Sequence, residues 1–373
     1  MKKIISGLLV MVFLLVFGMN TFAANTWQPY ALQDNNMYIN GFYMDSQNPK
    51  IMYALIMGNG VMKKSIDGGK TWKELGVPFS SQYRSYRVCD SNSNFQICAV
   101  DGEPVKVNTL DFWLTTDGAA TWKKMIFSNE FSPSCVRFIP NKNKKKNPNL
   151  FVAGFNRNGE IQFAQSNNQG VTWTYDTPVM NNGNKRALIY EIYGMAICNQ
   201  DPNIIYASVL YYNTKPNQVV NHIIKSIDGG KTWDTVTEGA VSLPEKTTFH
   251  DIYINPNDSN IVLAGWYGDG GASHCIYRTE DGGKTWQMVV KNGYGEWAKC
   301  FTVNPLDPNI ISVGTMALNN NTRHFGISRD KGLTWQWISD NLLGSGCSGI
   351  GIDLNGKYYL CTSQCIHTLE LDN

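Results

Sequence analysis

An eight-residue pattern, Ser/Thr-x-Asp/Asn-x-Gly-x-Thr-Trp, recurs six times along the chain, and a repeat of that kind dictates the architecture before any other feature is weighed. The copies run from Ser65 to Trp72, Thr115 to Trp122, Ser166 to Trp173, Ser226 to Trp233, Thr279 to Trp286 and Ser328 to Trp335. The second has Ala119 at the glycine position, and the third has Asn168 at the aspartate position. Successive tryptophans stand 50, 51, 60, 53 and 49 residues apart, and each interval contains two β-like runs before the motif, for example Ile310 to Gly314 and His324 to Ser328. Each unit therefore reads as about four short strands. Glycine tolerates positive φ, and the Asp carboxylate can accept bonds from nearby backbone N–H groups and from the Thr hydroxyl, so the segment is expected to be a turn. The Trp is expected to anchor its hairpin in apolar packing between units, a structural role rather than a binding one.

These residues resemble the Asp-box, or BNR repeat, of sialidases, xyloglucan-cleaving glycosidases and sortilin-type receptors, all of them β-propellers. The resemblance spans nearly the whole chain beyond its first residues and implies fold rather than activity, because enzymes, receptors and assembly factors share the box. After the sixth copy, Gly349 to Asp353, Lys357 to Cys361 and Cys365 to Leu371 offer three strands where a blade needs four. At the other end, Asn25-Thr26-Trp27-Gln28-Pro29-Tyr30 looks like the segment that follows each box, as in Lys70-Thr71-Trp72-Lys73-Glu74-Leu75. The expected fold is thus all-β: a seven-bladed β-propeller of four-stranded antiparallel blades, closed by the N-terminal strand, with six or eight blades as the alternatives.

Lys2 and Lys3 precede the apolar run Ile4 to Phe17, and Thr21-Phe22-Ala23 carries small residues where a signal peptidase reads. Residues 1–23 read as a signal peptide and residues 24–373 as a single propeller domain, secreted or periplasmic. No later run approaches the roughly 20 apolar residues of a membrane helix. Loss of two lysines from the 32 Lys plus Arg leaves 30 against 30 Asp plus Glu, so the mature chain has no net field to gather nucleic acid or anionic lipid. The basic run Lys142 to Lys146 lies among turn formers and reads as a solvated loop. All nine cysteines survive cleavage, so at least one is unpaired; Cys361 with Cys365, and Cys89 with Cys98, flank turns and could each bridge a hairpin. No spacing suggests a metal site, and neither a phosphate loop nor an HExxH or GxSxG motif occurs, so no cofactor is expected.

In the propellers that this chain resembles, the box turns face away from the functional mouth, which is built from the residues opening each inner strand and from the loops joining second to third strands. The openings here are Tyr38 and Asn40; Tyr83, Arg84 and Arg87; Arg137; Glu191 and Tyr193; His250 and Asp251; and Glu296, Trp297 and Lys299. The loops add Trp266 and Tyr267 among others. Aromatic rings with carboxylates and guanidinium groups suit a sugar, whose apolar faces stack while its hydroxyls need polar partners. The leading expectation is a carbohydrate-active protein, foremost a glycoside hydrolase acting on an extracellular polysaccharide. Two of Asp251, Glu191 and Glu296 would be its acid and its base or nucleophile, and Arg84, Arg87, Arg137, Tyr193, His250, Trp266, Tyr267 and Trp297 would bind substrate. The alternative is a non-catalytic propeller that binds a glycan or protein partner, with these carboxylates neutralised by the arginines.

Overall fold

The second strand of each unit is a nearly unbroken apolar run, such as Met52-Tyr53-Ala54-Leu55-Ile56, which demands burial on both faces. The computed structural model supplies it. The model describes residues 26–371 except 33–37, 46, 58–60, 79–82, 89–91, 102–109, 141–146, 182–188, 213–218, 238–246, 269–273, 293–296 and 317–324. Its strands form seven separate sheets in a ring, each built on four antiparallel strands from an inner to an outer one, and the chain is a seven-bladed β-propeller.

The inner strands of blades one to seven are Tyr38–Met44, Tyr83–Val88, Phe131–Ile139, Ile189–Ile197, Thr247–Asn255, Trp297–Val303 and Cys347–Ile352. Alternate residues of each strand face opposite neighbours. Met52, Ala54 and Ile56 pack towards blade seven, while Tyr53 and Leu55 pack towards blade two. Seven buried clusters result, one at each junction between blades. The core is therefore a ring of interfaces, and no blade buries its apolar faces without both neighbours.

The recurrent motif closes the turn between third and fourth strands with a shared set of Ser/Thr and Asp/Asn bonds, to which the first, fourth, fifth and sixth copies add a Trp indole bond. In the first, the Asp67 carboxylate accepts the Thr71 N–H at 2.9 Å and the Thr71 hydroxyl at 2.6 Å, while the Ser65 Oγ donates to Asp67 at 2.8 Å. Gly69 N–H donates back to Ser65 Oγ at 2.7 Å, and the Trp72 indole N–H caps the Gly69 carbonyl at 2.9 Å. Asn168 in the third copy keeps the pattern, its amide donating to Thr172 at 2.8 Å. Ala119 holds the glycine conformation at φ 69°, a left-handed geometry that costs an L-residue roughly 1–2 kcal/mol.

A second use of the turn is to join blades. The residue preceding the motif's first Ser or Thr reaches a carbonyl of the next blade's turn. Lys64 donates to Gly118 at 3.2 Å, Gln165 to Gly229 at 3.0 Å, Lys225 to Gly282 at 3.0 Å and Arg278 to Lys331 at 3.0 Å. Where blade seven meets blade one, the Tyr30 hydroxyl does this work on Gly68 at 2.6 Å.

Ring closure follows the expectation from the chain ends. Gln28–Ala31 pairs antiparallel with Ile366–Leu369 as the outer strand of blade seven. Trp27 is fully buried, with its indole N–H on the Ile338 carbonyl at 2.9 Å and its ring edge-on to Phe325 at 5.0 Å. Trp233, stacked on Phe163 of the preceding blade at 4.9 Å, has the interfacial role read for it.

Two details depart from expectation. Blade four has a fifth strand, Val179–Met180, paired parallel to Thr232–Trp233 inside the widest Trp interval. The hairpin cysteines are not bridged. Cys361 lies opposite Ile366 while Cys365 sits in the turn with its carbonyl bonded to Thr362 N–H, an offset that keeps the two sulfurs from forming a disulfide. Cys98 likewise forms no disulfide, and Cys89 lies outside the described residues.

Candidate functional site

Each inner strand carries a register shift against its second strand. The shifts fall between Ile39 and Gly41, Tyr83 and Ser85, Pro133 and Cys135, Ile192 and Gly194, Phe249 and Asp251, Ala298 and Cys300, and Cys347 and Gly349. A bulge of this kind bends the strand and re-aims the side chains beyond it. Neighbouring blades then meet through the extra residue: Ser348 Oγ donates to the Ile39 carbonyl at 2.5 Å, and Ser134 Oγ to the Ile192 carbonyl at 3.3 Å.

Aligned on the bulge, the inner strands present tiers around the axis. Cys135, Asp251 and Cys300 occupy one tier. Arg87 and Arg137 share the next, two residues further along adjacent strands. Arg137 is fixed over blade four, with Nε on the Met195 carbonyl at 2.6 Å and Nη1 on the Val136 carbonyl at 2.8 Å and Cys135 Sγ at 3.1 Å. Asp251 leans towards blade six and accepts backbone N–H bonds from Phe301 and Ile252. All three charged residues keep some surface open to the axial space.

Their charges act on one another. The largest influence on Arg87 is the neighbouring Arg137, which together with burial pushes its pKa down; Asp251 and the thiols of Cys135 and Cys300 oppose this. Burial raises the Asp251 carboxyl above the usual carboxylate range, although Arg87, Arg137 and the two N–H groups pull the other way. Among the described residues two guanidinium groups thus face one carboxylate, and the cation–cation effect on Arg87 outweighs its attraction to Asp251.

Of the residues expected to form the site, Arg87, Arg137 and Asp251 are brought together. Arg84, Glu191, Tyr193, His250 and Trp297 lie on inner strands, and Trp266 and Tyr267 on the mouth end of the second strand of blade five, Asp258–Gly268. The side chains of these seven, and the whole of Glu296, lie outside the described residues. Cys135 and Cys300 were not expected at the axis; spacing from the bulge is the signal that places them there.

A separate open cavity of about 670 Å³ lies between blades six and seven near Leu306, Asp307, Arg329, Lys357 and Glu370, at the end carrying the repeat turns. It shares no residue with the axial cluster. Among the described residues, no three His, Cys, Asp or Glu side chains gather to hold a metal ion, and no helix is long and apolar enough to cross a membrane.

No protein-family model matches the sequence, and no curated protein matches it. Solved structures do. YCF48 bound to D1 peptide is similar over 94% of this chain and 98% of its own, with a TM-score of 0.57 and 14% identity. The extracellular domain of the hybrid two component system BT4673 from B. thetaiotaomicron aligns over 93% of this chain and 40% of its own, with a TM-score of 0.59 and 12% identity. A GH74 enzyme from Niastella koreensis aligns over 87% of this chain and 62% of its own at 16% identity, but with a TM-score of 0.40 it carries no weight. At these identities the likeness speaks for the propeller fold alone.

Proposed function

We propose that this chain is a binding propeller whose axial mouth takes a carboxylate-bearing ligand, with a peptide as the favoured source. One observation carries the reading: among the described residues, two guanidinium groups on adjacent inner strands, Arg87 and Arg137, converge with the carboxylate of Asp251 and keep surface open to the axial space. Guanidinium groups recognise carboxylates through paired N–H donors, and a low-dielectric surround strengthens the bond. A propeller of the same shape, YCF48, is found bound to a peptide, which is a precedent for the fold and no more. The proposal includes membership of the Asp-box group and export from the cytoplasm, supported by the six turn motifs and by the run Ile4 to Phe17 behind Lys2 and Lys3.

A second reading, glycoside hydrolysis, is favoured by the burial that raises the pKa of Asp251, because a carboxyl shifted upward is a better general acid. It requires a second carboxylate about 5 to 10 Å away, for which Glu191 and Glu296 are the candidates.

Arrays of hexapeptides, made in parallel as free C-terminal acids and as amides, separate the readings when probed with the purified protein. Oligogalacturonate titration and reducing-sugar release from a polysaccharide panel run beside them. Binding confined to free acids, and weakened at least tenfold in Arg87→Gln, supports the peptide reading. Sugar release lost in Asp251→Asn would replace it with the hydrolase. Equal binding of acids and amides would refute carboxylate recognition.

A further inference from the structure

Blades six and seven meet at two thiols. Cys300 and Cys347 stand on adjacent inner strands, each at the register shift of its own strand, and their sulfurs are 3.6 Å apart. That is hydrogen-bond distance for two thiols, with no disulfide between them. Cys347 is fully buried, whereas Cys300 keeps surface towards the axis. Gly314, opposite Cys300 on the second strand of blade six, leaves the space that both sulfurs fill. A Cβ at position 314 would lie 2.2 Å from the Cys347 Sγ and 2.9 Å from the Cys300 Sγ, so any larger residue would force the pair apart.

We propose that Cys300 and Cys347 form a redox-modifiable site that closes to a disulfide between blades six and seven. To bond, the sulfurs must approach to about 2.05 Å, a movement of about 1.5 Å shared between two side chains whose strands already touch. The oxidant is a small-molecule disulfide such as oxidised glutathione. Cys300, the accessible partner, attacks it as the thiolate and releases one thiol, leaving a mixed disulfide on Cys300. The Cys347 thiolate then attacks the Cys300 sulfur and expels the second thiol. Two protein thiols are oxidised by two electrons, one reagent disulfide is reduced to two thiols, and the two protons leave on those thiols.

The position gives the bond a use. Blade seven is the composite blade, held shut by a short N-terminal strand, and a covalent link to blade six ties it to the ring from the other side. The link spans 47 residues of chain, long enough to restrict the unfolded state substantially.

The test equilibrates the full folded chain with oxidised glutathione, caps remaining thiols with N-ethylmaleimide, and maps peptides without reduction. The expected result is a cross-linked species joining the Cys300 and Cys347 peptides, a melting temperature raised by several degrees, and loss of both on adding dithiothreitol. Cys300→Ser, at the less buried position, should leave Cys347 uncross-linked and abolish the shift. Recovery of both cysteines capped after oxidation, or of either bonded to a different cysteine, would overturn the proposal. Because the wild-type map is itself decisive, failure of a variant to fold does not rescue it.

Discussion

Replacing Trp27 by Ala tests whether the N-terminal strand clamps the ring. The side chain is fully buried against Phe325, Ile338 and the strands of blade seven, and its indole N–H is bonded to the Ile338 carbonyl. Truncation returns about 150 Å² of apolar surface to the balance, worth about 4 kcal/mol at 25 cal/mol per Å². The lost hydrogen bond adds about 1 kcal/mol, and a compact unfolded state subtracts a similar amount. The net cost of about 4 kcal/mol falls within the range known for large aromatic truncations in cores. For a cooperative unit of about 350 residues, with an unfolding entropy near 2 cal/mol/K per residue, the melting temperature should fall by about 5 °C. Differential scanning calorimetry reads this directly, with far-ultraviolet circular dichroism to show that the variant is folded. A fall below about 1 °C would mean that the ring does not depend on its first strand, and the closure described above would be wrong.

Gly230→Ala should cost about 3 kcal/mol in chemical denaturation, because the residue sits at φ 93° and an added Cβ would lie 2.8 Å from the buried Phe151 ring; a loss under 1 kcal/mol would contradict the packing. Lys225→Met should cost roughly 1–2 kcal/mol by breaking the bond to Gly282 of the next blade, whereas Lys73→Met on the exposed outer strand of blade one should change little; equal effects would remove the inter-blade role. The turn aspartates predict a pH dependence. Asp67 is held down at about 2 by hydrogen bonds led by the Thr71 hydroxyl; for Asp228 and Asp281 burial pulls upward, but bonds from Thr232 and Thr285 outweigh it and leave both at about 2. Their ordinary value is 3.8, so between about pH 4 and 2 the unfolded chain binds more protons than the folded one. The contribution of these three carboxylates should therefore be level above about pH 4 and fall below it, with a shallower acid loss of stability in Asp228→Asn; an acid limb unchanged by that substitution would refute the assignment.

The ring was legible because its information is local and repeated. Six turns with the same bonding residues mark the outer hairpins, unbroken apolar runs such as Met52 to Ile56 mark the strands buried on both faces, and Trp27 announces itself as a seventh copy of the motif tryptophan. What escaped depends on long-range register. Val179–Met180 is a two-residue strand in parallel pairing, too short to show a period, and only the widest Trp interval hints at it. Cys361 and Cys365 have a suitable separation along the chain, yet the pairing of Cys361 with Ile366 sets their side chains out of line. The axial cluster draws Arg87, Arg137 and Asp251 from three blades, and their convergence rests on the bulge that shifts each inner strand. Arginine and aspartate could be proposed for a mouth from the sequence, but the meeting of Arg87 and Arg137 with Asp251 at one point could not.

Recognition of a carboxylate at that meeting point is the central claim, and calorimetric titration with a peptide selected on the free-acid array tests it most directly. Wild-type protein is titrated with the free acid and with its amide at low and high salt, and the series is repeated with Arg87→Gln. The account predicts at least tenfold tighter binding of the acid, weakening with salt, and a preference that collapses in the variant. An acid and an amide that bind alike, or a preference that survives the loss of Arg87, would contradict it.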